Sequence, residues 1–236
     1  MWLKRREQAF DERPHRLAVS TSPRFYEAVE QSGVEFDDAQ HAAIARLLDP
    51  PAHGFYLWGA VGRGKSMLSD LYYDAVPTAR KRRFHFHSFF RELQTEIAAT
   101  RQPVEKSINR LVGSARVVLF DEFHVHDVAD AVYLTKTLDA LIHSGILVLA
   151  TSNYTPDDLM PNPLFHDRFI PAIALINSRF EVVPLGPGPD YRRTVTDRGH
   201  IGFGAGRWGI DLDGSPVVPH SGIELIVNSL PVRAVA

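Results

Sequence analysis

The residues best suited to chemistry in this chain lie between Gly59 and Ser66, where the sequence reads Gly-Ala-Val-Gly-Arg-Gly-Lys-Ser. This stretch fits the phosphate-binding pattern G-x-x-x-x-G-K-[ST] at every fixed position. Its glycines allow backbone conformations that a Cβ atom forbids, so that consecutive N–H groups can turn inward around the phosphates of a nucleotide. The pattern predicts that Lys65 reaches the β- and γ-phosphates and that the Ser66 hydroxyl ligates Mg²⁺.

The flanking sequence favours this interpretation over a chance match in a glycine-containing loop. An apolar run, Gly54–Trp58, precedes the loop, and Met67–Tyr73 after it has the pattern of an amphipathic helix. The order strand, loop and helix places a helix N-terminus where it can bind phosphate. We therefore expect a nucleotide to contact the consecutive residues Gly59, Ala60, Val61, Gly62, Arg63, Gly64, Lys65, Ser66 and Met67.

A second candidate group follows the apolar run Val117–Phe120, which ends in the carboxylates Asp121 and Glu122. Adjacent side chains of a strand point to opposite faces of the sheet, so the two acids can take different roles. We expect Asp121 to hold Mg²⁺ through water, and Glu122 to orient and polarise the attacking water. The alternative is a strand that ends in solvated acids. The strand is nearly all apolar and follows a phosphate loop, which disfavours that alternative.

Asn153 is a third candidate, since it follows the apolar run Ile146–Ala150. An asparagine at such a place can hydrogen-bond the attacking water or the γ-phosphate, which is the sensor 1 role. Taken alone, an asparagine after a strand is usually a turn residue. The chain order of phosphate loop, acidic pair and asparagine favours the functional interpretation.

Four histidines could in principle hold a metal, as two i, i+2 pairs: His85 with His87, and His124 with His126. Neither pair has an evident third ligand nearby, so ordinary strand-face histidines are the favoured interpretation. The second pair directly follows Glu122 and is placed to sense the state of the nucleotide.

Further elements are needed to position these residues. Asp37 and Asp38 can cap a helix that runs through Leu48. A strand is predicted over Lys81–His87, and the other predicted helices are Ser88–Ala98, Val104–Leu111 and Val128–Ser144. Alternating apolar strands and helices predict an α/β fold of the P-loop NTPase type, with helices on both faces of a parallel sheet.

The sequence also predicts that the chain divides into three parts. Residues 1–35 form an N-terminal lead-in and residues 36–184 the P-loop ATPase domain. From residue 185 to 236 glycine and proline increase, and short β-like runs appear at Glu224–Val227 and Pro231–Val235. We therefore expect a short β-rich C-terminal extension.

Composition limits the remaining functional classes. The 236 residues carry a net charge of −2, which gives no global support for binding nucleic acid. The absence of cysteine excludes disulfides and thiolate chemistry. No apolar stretch of transmembrane length and no secretory leader is evident, which predicts a cytoplasmic protein and leaves peripheral membrane association open.

The motifs together resemble the ZapE-type AAA+ ATPases, bacterial cell-division proteins related to mitochondrial inner-membrane ATPases. The resemblance runs over roughly residues 35–185, in the blocks Leu57–Leu71, Lys81–His87, Phe120–Ala131 and Ala150–Leu159. It implies ATP as the nucleotide, Mg²⁺-dependent hydrolysis, a protein partner in the division machinery, and homo-oligomers whose sites lie between subunits. It also implies that Gln40 lies near the adenine.

Two departures from the family pattern affect this expectation. His166 stands where the family carries its candidate arginine finger, and Arg168 is the nearest arginine that could replace it. The family also continues into a helical C-terminal portion with lid and sensor 2 contacts, which we expect this chain to lack.

The sequence therefore favours an ATP-hydrolysing remodeller of a protein partner. The alternative is a nucleotide-gated binding module with little hydrolysis, because the lid would be missing. A P-loop kinase is disfavoured, since Asp121, Glu122 and Asn153 suit the activation of water. A helicase loader shares the motifs, but the near-neutral charge gives no support for binding DNA.

Overall fold

The computed structural model describes residues 13–125, 130–160, 162–188, 190–191, 224–227 and 230–233. The chain divides into two compact units, Met1–Pro189 and Asp190–Ala236. The first unit contains the candidate site residues named above. The predicted domain bounds of 1–35, 36–184 and 185–236 stay predictions.

A five-stranded parallel sheet forms the centre of the first unit. Its strands are β1 (Gly54–Gly59), β2 (Lys81–His85), β3 (Val117–Asp121), β4 (Leu147–Ser152) and β5 (Glu181–Leu185). They lie in the order β2-β3-β4-β1-β5, so that β1, β3 and β4 occupy the middle of the sheet. The predicted parallel sheet is confirmed.

The helices cross between these strands. They are α1 (Arg13–Gln31), α2 (Asp38–Leu48), α3 (Lys65–Ala75), α4 (Phe86–Thr100), α5 (Val104–Val112), α6 (Asp130–His143), α7 (Pro163–His166) and α8 (Ile170–Arg179). A 3₁₀ turn covers Pro156–Asp158. The helix predicted from Val128 is described only from Asp130 onward.

The alternation of side chains along β3 shows how the sheet separates two cores. Val118 and Phe120 belong to a cluster on the face covered by α4, α5, α6 and α8. Val117 and Leu119 belong to a cluster on the opposite face, with residues of α1, α2 and α3. Because successive strand residues point to opposite faces, an apolar run is buried on both sides. The predicted helical cover on both faces is confirmed.

Two elements differ from the sequence-based prediction. Sequence analysis did not identify β5, in which only Val183 and Leu185 are buried and Pro184 is exposed. Proline is tolerated there because β5 is an edge strand. The strand predicted over Lys81–His87 is too long, since β2 ends at His85 and α4 begins at Phe86, which is 1% exposed within the aromatic core.

The second unit is described by one antiparallel pair, β6 (Glu224–Val227) and β7 (Leu230–Arg233). The first predicted β-like run is confirmed at Glu224–Val227. The second strand covers Leu230–Arg233, and residues 234 and 235 of the predicted run lie outside the described residues. Among the helices of the described residues, none combines the length and apolar character needed to cross a membrane.

Helix α1 packs into the core of the first unit instead of lying apart from it. It contacts α2, α3 and β4, and Phe25 is completely buried with its ring 5.3 Å from that of Tyr72. The contact is edge-to-face, the geometry that aromatic pairs prefer. Residues 13–31 therefore contribute to the stability of the helix that follows the phosphate loop.

We predict that Phe25→Ala lowers the free energy of unfolding by about 3–5 kcal/mol, because it leaves a cavity against α3. Tyr26→Ala is the matched control, since Tyr26 is 52% exposed on the same helix. Its expected effect is within about 0.5 kcal/mol. Urea unfolding of both variants measures these losses. If Phe25→Ala lowers the free energy of unfolding no more than Tyr26→Ala does, α1 does not support the core.

Candidate nucleotide-binding site

The three predicted groups of site residues meet at one edge of the sheet. The phosphate loop follows β1, Asp121 ends β3, and Asn153 follows β4. These strands are parallel neighbours in the order β3-β4-β1, so their carboxyl ends lie side by side. Ligands of open α/β sheets bind at this edge, outside the carboxyl ends of the strands.

The phosphate loop has the backbone that its glycines predict. Gly62 and Gly64 have φ angles of +80° and +87°, a region in which other residues are strained. Gly64 is the N-cap of α3 and makes no side-chain cap hydrogen bond. The first turn of α3 therefore presents its N–H groups without a capping side chain, which suits an anion.

The buried side chain of Arg63 connects the loop to two other elements. Its side chain is 1% exposed and pairs with Asp37 at the start of α2 at 2.5 Å. Its Nε donates to the carbonyl oxygen of Gly186, directly after β5, at 3.0 Å. A single buried guanidinium thus joins the loop, α2 and the end of β5.

The side chain of Gln40 holds the same loop by a hydrogen bond to the loop backbone. Its Nε2 donates to the carbonyl oxygen of Arg63 at 3.1 Å, while its Oε1 accepts from the backbone N–H of Asp37 at 3.0 Å. The Asp37 carboxylate accepts in return from the Gln40 N–H at 2.8 Å, which completes a capping box. Gln40 is 2% exposed, and the predicted contact with an adenine stays a prediction.

Lys65 bends back over the loop that precedes it. Its Nζ donates to the carbonyl oxygens of Gly59 and Ala60, both at 2.8 Å. The ammonium group therefore lies at the mouth of the loop, where a positive charge attracts phosphate. The Ser66 and Met67 backbone follows in the first turn of α3.

Asp121 is nearly buried and is held by an arginine that sequence analysis missed. Its side chain is 7% exposed, and its Oδ2 accepts a hydrogen bond from Nε of Arg83 on β2. The same guanidinium lies 2.9 Å from the carboxylate of Asp70 on α3. The hydrogen bond to Asp121, with the charges of both acids, raises the pKa of Arg83 above its ordinary value.

Glu122 is exposed and lies in a backbone conformation that is uncommon for a non-glycine residue. Its φ is +54°, in the left-handed region. Its N–H donates to the Thr151 hydroxyl at 3.4 Å, and the next N–H, of Phe123, donates to the Thr151 carbonyl at 2.7 Å. Strained residues of this kind cluster at functional sites. Contacts to the end of β4 thus hold the turn that presents the Glu122 carboxylate.

A histidine pair lies against the same turn. His124 Nδ1 lies 2.6 Å from the carbonyl oxygen of Glu122, and His124 Nε2 lies 3.0 Å from Nε2 of His87. The carbonyl can only accept, so Nδ1 of His124 donates. No group of three or more potential metal ligands occurs among the described residues, and His126 lies outside them.

Of the remaining candidates, Asn153 and Arg168 are exposed and His166 is partly buried. Asn153 lies directly after β4, where the Ser152 hydroxyl donates to the Phe123 carbonyl at 2.6 Å and so links β4 to the turn at Glu122. Arg168 lies between α7 and α8, and within the described part of the chain no contact joins its side chain to the residues at the sheet edge. His166 instead contacts the Met160 carbonyl through Nδ1 at 2.9 Å.

Sequence comparison identifies relatives that share this site region. A family model described as AFG1-like ATPase matches residues 3–203. The chain is 40% identical over 154 residues to the cell division protein ZapE of Escherichia coli, covering 64% of this chain and 41% of that protein. It is 33% identical over 156 residues to lactation elevated protein 1 homolog B of Danio rerio, covering 60% and 31%. The chain thus spans well under half of these relatives.

Two solved structures resemble the fold. A crystal structure of DnaI superimposes with a TM-score of 0.51 at 18% identity, over 67% of this chain and 88% of that one. A crystal structure of the DnaC helicase loader gives 0.52 at 13% identity, over 69% and 99%. At these identities the likeness concerns the fold alone, and it confirms the predicted P-loop fold of the AAA+ type.

We predict that Arg63→Met lowers the free energy of unfolding by about 3 kcal/mol, because Asp37 loses its buried partner. The looser loop should also bind nucleotide more weakly. Arg46→Met is the control, since it breaks an ion pair with Glu181 whose side chains are 46% and 40% exposed. A loss of about 0–1 kcal/mol is expected there. Urea unfolding and fluorescent-nucleotide titration measure both effects, and similar values for the two variants would contradict the anchoring role.

Proposed function

The chain belongs to the AFG1-like ATPase family, and from this membership we propose that it binds ATP with Mg²⁺ and hydrolyses the γ-phosphate. The observation that carries the proposal is the meeting of the phosphate loop, Asp121, Glu122 and Asn153 at the carboxyl ends of three adjacent strands. Binding and water activation need these groups in one place.

The residues of the loop suit the phosphates of ATP. The N–H groups of the loop and of the first turn of α3 supply neutral donors, and Gly64 leaves that turn without a side-chain cap. Lys65 would exchange its hydrogen bonds to the Gly59 and Ala60 carbonyls for phosphate oxygens. Its ammonium is already at the mouth of the loop, so this exchange requires only a side-chain rotation.

The oxygen donors of Ser66 and Asp121 suit Mg²⁺, which prefers hard oxygen ligands and retains several waters. Both belong to elements that end or begin at the sheet edge, Ser66 in α3 and Asp121 in β3. When bound, the metal neutralises phosphate charge. Ser66 and Asp121 would hold it, Asp121 through a metal-bound water.

Glu122 is the proposed general base. Its exposed carboxylate belongs to the turn that Thr151 holds, and it can accept a hydrogen bond from an attacking water. Asn153, on the neighbouring strand end, would orient that water or the γ-phosphate. The unusual backbone at Glu122 is an observation in favour of a functional role for this turn.

The biological setting follows from the relatives. We propose that ATP turnover remodels or regulates a protein partner in bacterial cell division, since ZapE is named as a cell division protein. Homo-oligomers with shared sites would explain why Arg168 lies exposed and away from the residues it would assist. A cytoplasmic location, with or without peripheral membrane association, belongs to the same proposal.

We predict that Glu122→Gln binds ATP with Mg²⁺ but loses turnover by about 10²–10⁴-fold, the contribution of a positioned general base. Glu92→Gln on α4 is the matched control and should retain wild-type turnover. Lys65→Ala provides the reference for lost phosphate binding. Steady-state ATPase assays with nucleotide titrations check this. Retained turnover in Glu122→Gln would contradict its role, and nucleotide binding without turnover in the wild type would favour a nucleotide-gated binding module.

We further predict that specific ATPase activity rises with protein concentration, because a neighbouring subunit would supply Arg168 to each site. Arg168→Ala should reduce turnover by about 10³-fold or more, as expected for an arginine finger, and leave ATP binding intact. Arg179→Ala, an exposed arginine at the end of α8, is the control. Activity that is independent of concentration and of Arg168 would contradict shared sites.

A further inference from the structure

Arg83 connects three elements that carry the proposed metal site. It lies on β2, opposite Leu119 of β3, so that Asp121, two residues further along β3, shares its face of the sheet. Its Nε donates to Asp121 Oδ2, and its Nη1 lies 2.9 Å from Asp70 Oδ1 on α3. Asp70 is four residues after Ser66, on the same side of the helix.

The charges at this point are unequal. Asp121 and Asp70 carry two negative charges, and Arg83 supplies one positive charge to both. Asp121 is only 7% exposed, so its charge is poorly hydrated and needs a partner. Arg83 is 45% exposed and reaches the carboxylate from the solvent side of β2.

Arg83 therefore supplies a positive charge next to Asp121, the carboxylate that would also hold a divalent metal. We propose that Arg83 is the internal counter-ion of the metal site, which balances Asp121 without metal and so makes Mg²⁺ binding depend on the nucleotide. A positive charge next to Asp121 opposes the approach of a free divalent ion. The phosphates of a nucleotide add negative charge and overcome this opposition.

This inference rests on the proposed role of Asp121, which would hold the metal through a bound water, and it assigns Arg83 as a positioning residue. Arg83 acts through Asp121, because only Oδ2 accepts its hydrogen bond. The other carboxylate oxygen, Oδ1, accepts no hydrogen bond among the described residues and can face a metal-bound water. Metal and guanidinium can thus share the carboxylate once nucleotide is present.

The test measures thermal unfolding of the full chain without nucleotide, in EDTA and in millimolar Mg²⁺. Arg83→Gln removes the charge but keeps a hydrogen-bond donor for Asp121, and Arg83→Met removes both. In EDTA both variants should unfold at a lower temperature than wild type. Mg²⁺ should raise their Tm by about 2–4 °C, because the uncompensated Asp121 and Asp70 then bind the ion.

The controls separate this role from a purely structural one. Arg82→Gln changes the neighbouring arginine, whose guanidinium lies 5.1 Å from the centre of the Phe84 ring instead of at an acid. Arg82→Gln and wild type should show little response to Mg²⁺. Arg83→Lys should restore the wild-type response, and adding Asp121→Asn to Arg83→Gln should abolish the gain. An unchanged Mg²⁺ response in both neutral variants would overturn the proposal.

A measurement on the wild type keeps the proposal testable if the neutral variants fail to fold. Mn²⁺ titration followed by electron paramagnetic resonance should detect tight metal binding only with a non-hydrolysable ATP analogue present. Submillimolar Mn²⁺ binding to the nucleotide-free wild type that Asp121→Asn removes would overturn the counter-ion role. No metal binding even with the analogue would instead contradict the proposed Mg²⁺–ATP site, and the inference with it.

Discussion

The ion pair between Arg63 and Asp37 is the interaction on which the geometry of the site depends. A guanidinium that is 1% exposed must find partners, because an unpaired buried charge is strongly unfavourable. Arg63 finds them in Asp37 and in the carbonyl of Gly186, so its position determines where α2 and the end of β5 lie. Arg63, the last of the four variable positions in the phosphate-binding pattern, therefore holds the loop in place.

The same pairing aligns the start of α2 with the loop. Asp37 caps α2, pairs with Arg63 and, with Gln40, forms the capping box whose amide reaches the loop backbone. Glycine is favoured at position 64 because φ there is +87°, and a Cβ would also lie 2.9 Å from Gln40 Nε2 and displace it. The conformation of the candidate phosphate loop is therefore held by contacts with Asp37 and Gln40 at the start of the neighbouring helix α2.

The opposite side of the site is organised by charge. Asp121 ends a strand whose residues are all buried, and Arg83 from the edge strand compensates its charge. Arg63, a buried cation with an acidic and a carbonyl partner, thus stabilises the loop. Arg83, a half-exposed cation, stabilises the acidic end of β3. Between them, Thr151 and Ser152 of β4 hold the turn of Glu122 through hydrogen bonds.

The sequence by itself determined the α/β class, four of the five strands and the chain positions of the loop, Asp121, Glu122 and Asn153. Local patterns suffice there, because phosphate binding and strand burial depend on residue type at short spacing. Edge strand β5 lacked a continuous apolar run, and the burial of α1 depends on residues distant in the chain. The partners of Arg63, Gln40 and Arg83 were decided only by the tertiary structure. The sheet order brings Arg83 to Asp121 and Arg63 to Gly186, and the packing of α2 brings Asp37 and Gln40 to the loop. A charged residue in a sequence does not show which opposite charge it will meet.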